Sequence, residues 1–181
     1  MPTVRDAAPD VSGAADAFKT LRAAESWHKF GAMVDAHEDK LTPSFVWNVR
    51  RGRDIPARDC LAAEAVRTRT YRAFLDFFTD FDILLLPAAS ILPFPNTQPE
   101  VMVVGGRQME TIIDYLAPTF LVSLVGFPVV SFPILVTAGG LPFGIQMVAR
   151  PHHEHLLIEA ARRLEAAGLG HRWAPHSING L

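Results

Sequence analysis

The stretch VVSFPILVTAGGLPFGIQMVA, residues 129–149, decides the fold. Two apolar runs, 129–137 and 141–149, flank Gly139-Gly140. A Gly-Gly pair between such runs signals a hairpin, because both turn residues need positive φ. Val129, Val130, Val136 and Thr137 are β-branched and favour extended chain. The two runs are expected to pair as antiparallel strands.

Working outward, no Asp, Glu, Lys or Arg lies between Asp114 and Arg150. Residues 119–138 thus match the length of a bilayer-spanning helix. Pro118, Gly126, Pro128 and Pro133 interrupt any such helix, so buried strand is the reading adopted. Upstream, ILLL at 83–86 is a short apolar run ended by Pro87, expected to be a strand buried on both faces, as in α/β sheets. Prolines at 87, 93, 95 and 99 make the next segment an extended loop, of a length that is often functional. A weak strand at 101–104 meets Gly105-Gly106, and a helical stretch begins at 111–116 and ends at Gly126.

Downstream, Leu156, Leu157, Ala160, Ala161 and Leu164 mark an amphipathic helix closed by Gly168. Near the N-terminus, Ser12 is placed to cap a helix carrying Ala14, Ala17, Phe18, Leu21 and Ala24 on one face. Ile55-Pro56 opens another, with Leu61, Ala65, Thr68, Leu75 and Phe78 expected inward and Glu64, Arg67 and Arg72 outward.

Composition narrows the class. Of 181 residues, 49% are hydrophobic and 20% charged, against about 25% charged in an average soluble domain, so disorder is excluded. At roughly 150 residues per domain, one domain is expected. Seventeen basic and nineteen acidic residues give a net charge of -2, which lacks the cationic excess that phosphate contacts need, so nucleic acid is not the expected partner. The single cysteine, Cys60, excludes an internal disulfide and fits the cytoplasm. MPTVRDAAPD at the start has no apolar core of a signal peptide.

Candidate chemistry is sparse. His152-His153-Glu154-His155 suggests metal ligands, yet the zinc-protease helix needs its second His four residues after the first, and Leu157 stands there after His153. The competing reading is the start of a helix, with Glu154 favoured by the dipole. No metal is expected. The seven serines are 12, 26, 44, 90, 123, 131 and 177; none lies between glycines, and G-x-S-x-G is absent. Ser90, in the proline loop, is the one placed for a site; as a nucleophile it would make the chain an independent hydrolase. Cys60 begins a helix, where a thiolate is stabilised, but the preferred reading is a packed structural thiol.

Several segments together resemble a known family. FDILLLP at 81–87, GFPVVSFP at 126–133, GLPFGIQ at 140–146, then Leu156-Leu157 and Glu165, are similar in order and spacing to the C-terminal part of the amidase signature family. Leu92-Pro93-Phe94, Gly106-Arg107-Gln108-Met109 and Asp114-Tyr115 resemble the stand-alone amidases more than the tRNA-linked amidotransferase subunit. The densest likeness runs over 81–165, and Trp173-Ala174-Pro175 resembles a usual ending.

The resemblance implies an α/β fold: the C-terminal part of a mixed sheet flanked by helices, including the antiparallel hairpin around Gly139-Gly140, with 1–181 as a single partial domain. It implies amide hydrolysis through an acyl-enzyme by a Ser, cis-Ser, Lys triad. The Lys deprotonates the bridging serine, which relays the proton from the nucleophile, and backbone N–H groups hold the oxyanion. The triad belongs to a G-G-S-S-G-G-like segment and an earlier lysine, which no position here matches, so no catalytic residue is assigned and the chain is expected to be truncated and inactive alone. Ser123 stands where the family has Asn three residues before the glycine, which alters a loop-ordering hydrogen bond.

The proline loop and the 119–123 stretch are the candidates for lining an acyl pocket, with Ser90, Asn96, Thr119 and Ser123 as substrate-binding residues; for Ser90 and Asn96 the competing and stronger reading is as turn residues. Expected partners are a small-molecule amide, an N-terminal amidase half or a second copy, with no cofactor, nucleic acid or membrane. The alternative is a non-catalytic assembly module that pairs with another chain through exposed sheet surface.

Overall fold

The computed structural model describes residues 3–95, 97, 103–111, 113–137 and 140–170. In chain order the elements are α1 (Ala14–His37), α2 (Pro43–Arg50), α3 (Ala57–Asp80), β1 (Leu84–Pro87), β2 (Val103–Val104), β3 (Arg107–Gln108), α4 (Ala117–Val125), β4 (Val129–Val136), β5 (Pro142–Val148) and α5 (Glu154–Ala166), with 3-10 turns at Glu38–Lys40 and Asp114–Leu116. They fall into two compact units, one of residues 1–80 and 120–126, the other of 81–119 and 127–181.

The first unit is helical. Ala14, Ala17, Ala23 and Gly31 are buried along α1, and side chains this small let α2 and α3 approach its backbone. Val34 of α1 meets Val46 and Val49 of α2 in a core flanked by Trp27, Leu41 and Phe45. Pro43 at the start of α2 gives up an N–H that a first helical turn leaves unbonded anyway. From the 120–126 segment, the Phe120 ring stacks on Phe18 at 4.4 Å and 6°, and the Leu124 carbonyl accepts from Arg67 Nε at 2.9 Å.

Two expectations for this unit are corrected. Ser12 does not cap α1: its N–H and its hydroxyl both donate to Asp10 Oδ1, at 2.9 and 2.6 Å, and Gly13 takes the cap position. Ile55-Pro56 does precede α3, and Phe78 is buried and Leu75 half-buried as expected, but the rest of the buried face is Ala63, Thr70 and Phe74, while Leu61 is 71% exposed and Ala65 and Thr68 are exposed too. Phe78 belongs to both sets, and turning Phe74 rather than Leu61 inward buries the larger apolar side chain. Glu64, Arg67 and Arg72 are exposed as expected, whereas α2 had no counterpart in the periodicity.

The second unit holds the expected hairpin. β4 and β5 pair antiparallel from Val129 opposite Val148 to Val136 opposite Pro142, with a register shift between Pro133 and Leu135. Of the turn pair, Gly140 has φ 79 and Gly139 lies outside the described residues. β1 joins the other side of β5, also antiparallel, so the strand order is β1-β5-β4.

β1 and β4 are thus the margins of this sheet, and the expectation of strands buried on both faces is corrected. β1 alternates, with Leu84 buried and Leu85 49% exposed, because successive side chains point to opposite faces of the sheet and only the one at Leu84 is covered there. The core is Phe132, Met147, Ala149 and Leu157, with Ala160, Ala161 and Leu164 of α5 packed on it, each fully buried large side chain contributing roughly 1.5–3 kcal/mol.

β2 and β3 form a small hairpin through Gly105-Gly106, whose φ of 57 and 78 suit a two-residue turn between antiparallel strands. Residues 101 and 102 of the expected strand lie outside the described residues. α4 ends at Gly126, at φ 71, as the sequence predicts. Among the described residues no helix is long and apolar enough to cross a membrane.

Candidate functional site

In the sheet unit the chain leaves β1 at Pro87 and enters the proline loop, whose first peptide is fixed where the Ala88 N–H donates to the Gly144 carbonyl at 3.0 Å. Ser90 is half-buried two residues further on. Asn96 lies outside the described residues. Thr119, half-buried on α4, donates its hydroxyl to the Leu116 carbonyl at 2.7 Å. Ser123, four residues later on the same helix, is exposed.

The turn that feeds α4 is drawn tight by the Asp114 carboxylate. Its Oδ2 accepts from the N–H groups of Glu110 and Thr111 at 3.1 and 2.7 Å, and from the Thr111 hydroxyl at 3.2 Å.

Gln146 connects the two candidate segments. This β5 side chain is 7% exposed, and its Nε2 donates to the Pro87 carbonyl at 3.0 Å and the Pro118 carbonyl at 2.9 Å. One carboxamide therefore ties the root of the Ser90 loop to the residue before Thr119. Two carbonyl partners also fix the amide orientation, since only the NH2 side can donate. In the sequence Gln146 stands out only as the last residue of GLPFGIQ. A lone carboxamide in the apolar run IQMVA was the signal available, because a buried polar side chain needs partners.

The other sequence candidates are not assembled into a reactive cluster. Glu154 opens α5, preceded by His152 at φ 67, and the His153 ring nitrogen Nδ1 lies 3.0 Å from the Pro151 carbonyl. Among the described residues no group of three or more His, Cys, Asp or Glu is placed to hold a metal ion. Cys60 is half-buried in the first turn of α3.

The carboxylates held below their ordinary pKa are exposed. The Ser12 hydrogen bonds lower Asp10, Lys29 lowers Glu25 and Arg163 lowers Glu159. Each is explained by a surface partner rather than by a catalytic environment. In the helical unit an open groove of about 640 Å³, lined by Leu41, Pro43, Val46 and Trp47 beside the Arg50–Glu38 ion pair, holds no nucleophile.

With the hairpin, the Pro87 loop and α4 in place, the chain can be set against known proteins. The family model described as Amidase matches residues 10–158. The chain belongs to the amidase family. This amidase chain is similar to the putative amidase AmiD of Mycobacterium tuberculosis, 28% identical over 154 residues that cover 85% of the chain and 32% of that protein. It is 28% identical over 113 residues to a fatty acid amide hydrolase of Arabidopsis thaliana, covering 62% of the chain and 18% of that protein.

Its fold is that of solved amidases. A structure described as a vestigial protein complex revealing the origins of an s-triazine catabolic enzyme aligns with a TM-score of 0.83 and 24% identity over 92% of this chain and 36% of that one. A bacterial aryl acylamidase of the amidase signature family aligns at 0.75 and 20% over 87% and 34%. The amidase chain therefore spans between 18% and 36% of the length of these relatives.

Proposed function

We propose that these 181 residues form one partial domain, the scaffold and acyl-pocket part of an amidase-type hydrolase that cleaves carboxylic amides to acid and amine or ammonia through an acyl-enzyme. The observation that carries this reading is a pairing: the amidase family model matches 10–158, and none of the seven serines in the sequence stands between glycines. The nucleophile, its bridging serine and the lysine then come from another polypeptide segment. The Ser90 loop and the 119–123 stretch are the candidates for lining the acyl pocket, with Ser90, Asn96, Thr119 and Ser123 as the candidate substrate-binding residues. The single cysteine fits a reducing compartment, the cytoplasm.

The test is hydrolysis of a panel of simple aryl and alkyl amides by the purified chain, alone and mixed with a separately expressed amidase N-terminal half. Size-exclusion chromatography accompanies both. Activity confined to the mixture, with co-elution, is the expected result. Turnover by the chain alone would place a nucleophile within these residues and overturn the reading.

A second reading, a non-catalytic assembly module, is favoured by one observation. Among the described residues β1 and β4 each lack a strand on their outer side, and Leu85 and Leu135 on them are 49% and 47% exposed. On this reading Leu135→Lys converts a self-associated or partner-bound species to monomer in size-exclusion chromatography. An unchanged elution volume rejects it.

A further inference from the structure

Gln146 reaches two segments far apart in sequence, and it does so from a strand paired on both sides. β5 has a ladder on each side, pairing with β1 through Leu84 to Pro87 and with β4 through Val129 to Val136. Gln146 itself sits opposite Leu86 on one neighbour and Ser131 on the other. Its Nε2 gives one hydrogen to the Pro87 carbonyl, where the loop carrying Ser90 departs, and the other to the Pro118 carbonyl, beside Thr119.

Below it on the same strand Gly144 receives the Ala88 N–H, and a Cβ at Gly144 would lie 3.3 Å from that of Ala88, so the loop root is held close on both sides. The Gln146 side chain is buried and its two hydrogen bonds are partly so, and removing a donor there leaves acceptors less well satisfied than in open water. Both carbonyl oxygens have a second lone pair, so accepting from Gln146 does not require them to abandon the backbone.

We propose that Gln146 is a positioning residue for acyl-group selection, a carboxamide strap that fixes the spacing between the Ser90 loop and the start of α4. It touches neither substrate nor reacting atoms; it acts through the two segments it ties. The inference rests on the reading that those segments line the acyl pocket. Its physical core, the simultaneous double donation, can be tested without any activity.

The variants are Gln146→Met, which keeps the length and removes both donors, and Gln146→Glu, which keeps the shape and replaces donors by acceptors. Amide hydrogen exchange of the full chain is expected to accelerate by about tenfold in peptides spanning 84–92 and 113–121 together, while α5 keeps its protection. Acceleration in one segment alone, or in neither, overturns the strap.

Should either variant lose protection everywhere, the unaltered chain still decides. Both Nε2 protons of Gln146 are expected to exchange slowly with water in 15N spectra, and one fast proton refutes double donation. In the mixture with an N-terminal amidase half, Gln146→Met is expected to raise KM for long acyl groups more than for acetyl and more than it lowers kcat. An equal fall in kcat for all amides would overturn the selection role. Failure of the mixture to hydrolyse any amide would count against the proposed function and leave the exchange result standing by itself.

Discussion

A methyl group placed on Gly52 would lie 1.9 Å from the carbonyl oxygen of Ala23. Gly52 is buried just after α2, and its N–H donates to the Val49 carbonyl at 3.1 Å, so its backbone is wedged against α1 where only hydrogen fits. Gly52→Ala is expected to destabilise the helical unit by about 3 kcal/mol or more, because backbone rather than a flexible side chain must move. The urea midpoint of helical circular dichroism measures it, and an unchanged midpoint would show that α2 is not seated on α1 in this way.

The buried face of α3 is open to a direct comparison. Phe74 is 2% exposed and Leu61 71%. Phe74→Ala is expected to lower stability by about 3–5 kcal/mol. Leu61→Ala should stay within about 0.5 kcal/mol of the parent. The reverse order of midpoints would restore the face that periodicity alone suggests.

His152 has φ 67, a left-handed conformation in which an L side chain is strained. His152→Gly is expected to raise the stability by about 0.5 kcal/mol and the urea midpoint with it, the relief of that strain being partly offset by the freedom glycine gains when unfolded. His152→Val should lower it. A gain with valine would mean that the turn before α5 is not held left-handed.

Ser12 gives both its N–H and its hydroxyl to Asp10, and these bonds, largest cause first the hydroxyl, hold the Asp10 carboxyl below its ordinary pKa. A lowered folded pKa means that the ionised form is favoured by folding. The associated stability is present above the ordinary aspartate range and is lost as the pH falls through the folded value. Ser12→Ala should therefore shift the Asp10 midpoint upward in a 13C carboxyl titration. A downward shift or none would show that Ser12 is not the cause.

The hairpin and α5 were legible because their signals are local: Gly139-Gly140 between β-branched runs, and a helical stripe ended by Gly168. The α3 face was not, since two sets of positions are compatible with one helix and only the surface of α1 chooses between them. The same holds for α2, whose eight residues include Val46 and Val49 and depend on packing against Val34 for their helix. Ser12 fits the cap pattern, but Asp10 captures it first. At the site, residue type located Ser90 and Thr119 in loop and helix, whereas the role of Gln146 lies in two long-range partners that no spacing rule encodes.

The path of the chain between its two units bears on how such a protein is inherited. The polypeptide leaves the helical unit after Asp80, returns with Phe120 and departs again after Gly126. A single crossover at Asp80–Phe81 would hand on α1, α2 and α3 without the ring that stacks on Phe18 and without the carbonyl that receives Arg67. Neither unit is a cassette that one recombination event can shuffle into a new gene. Their histories are bound together through seven residues, Phe120 to Gly126, and substitutions at Phe18 or Arg67 are expected to track changes in that short insert rather than changes in the adjoining sequence.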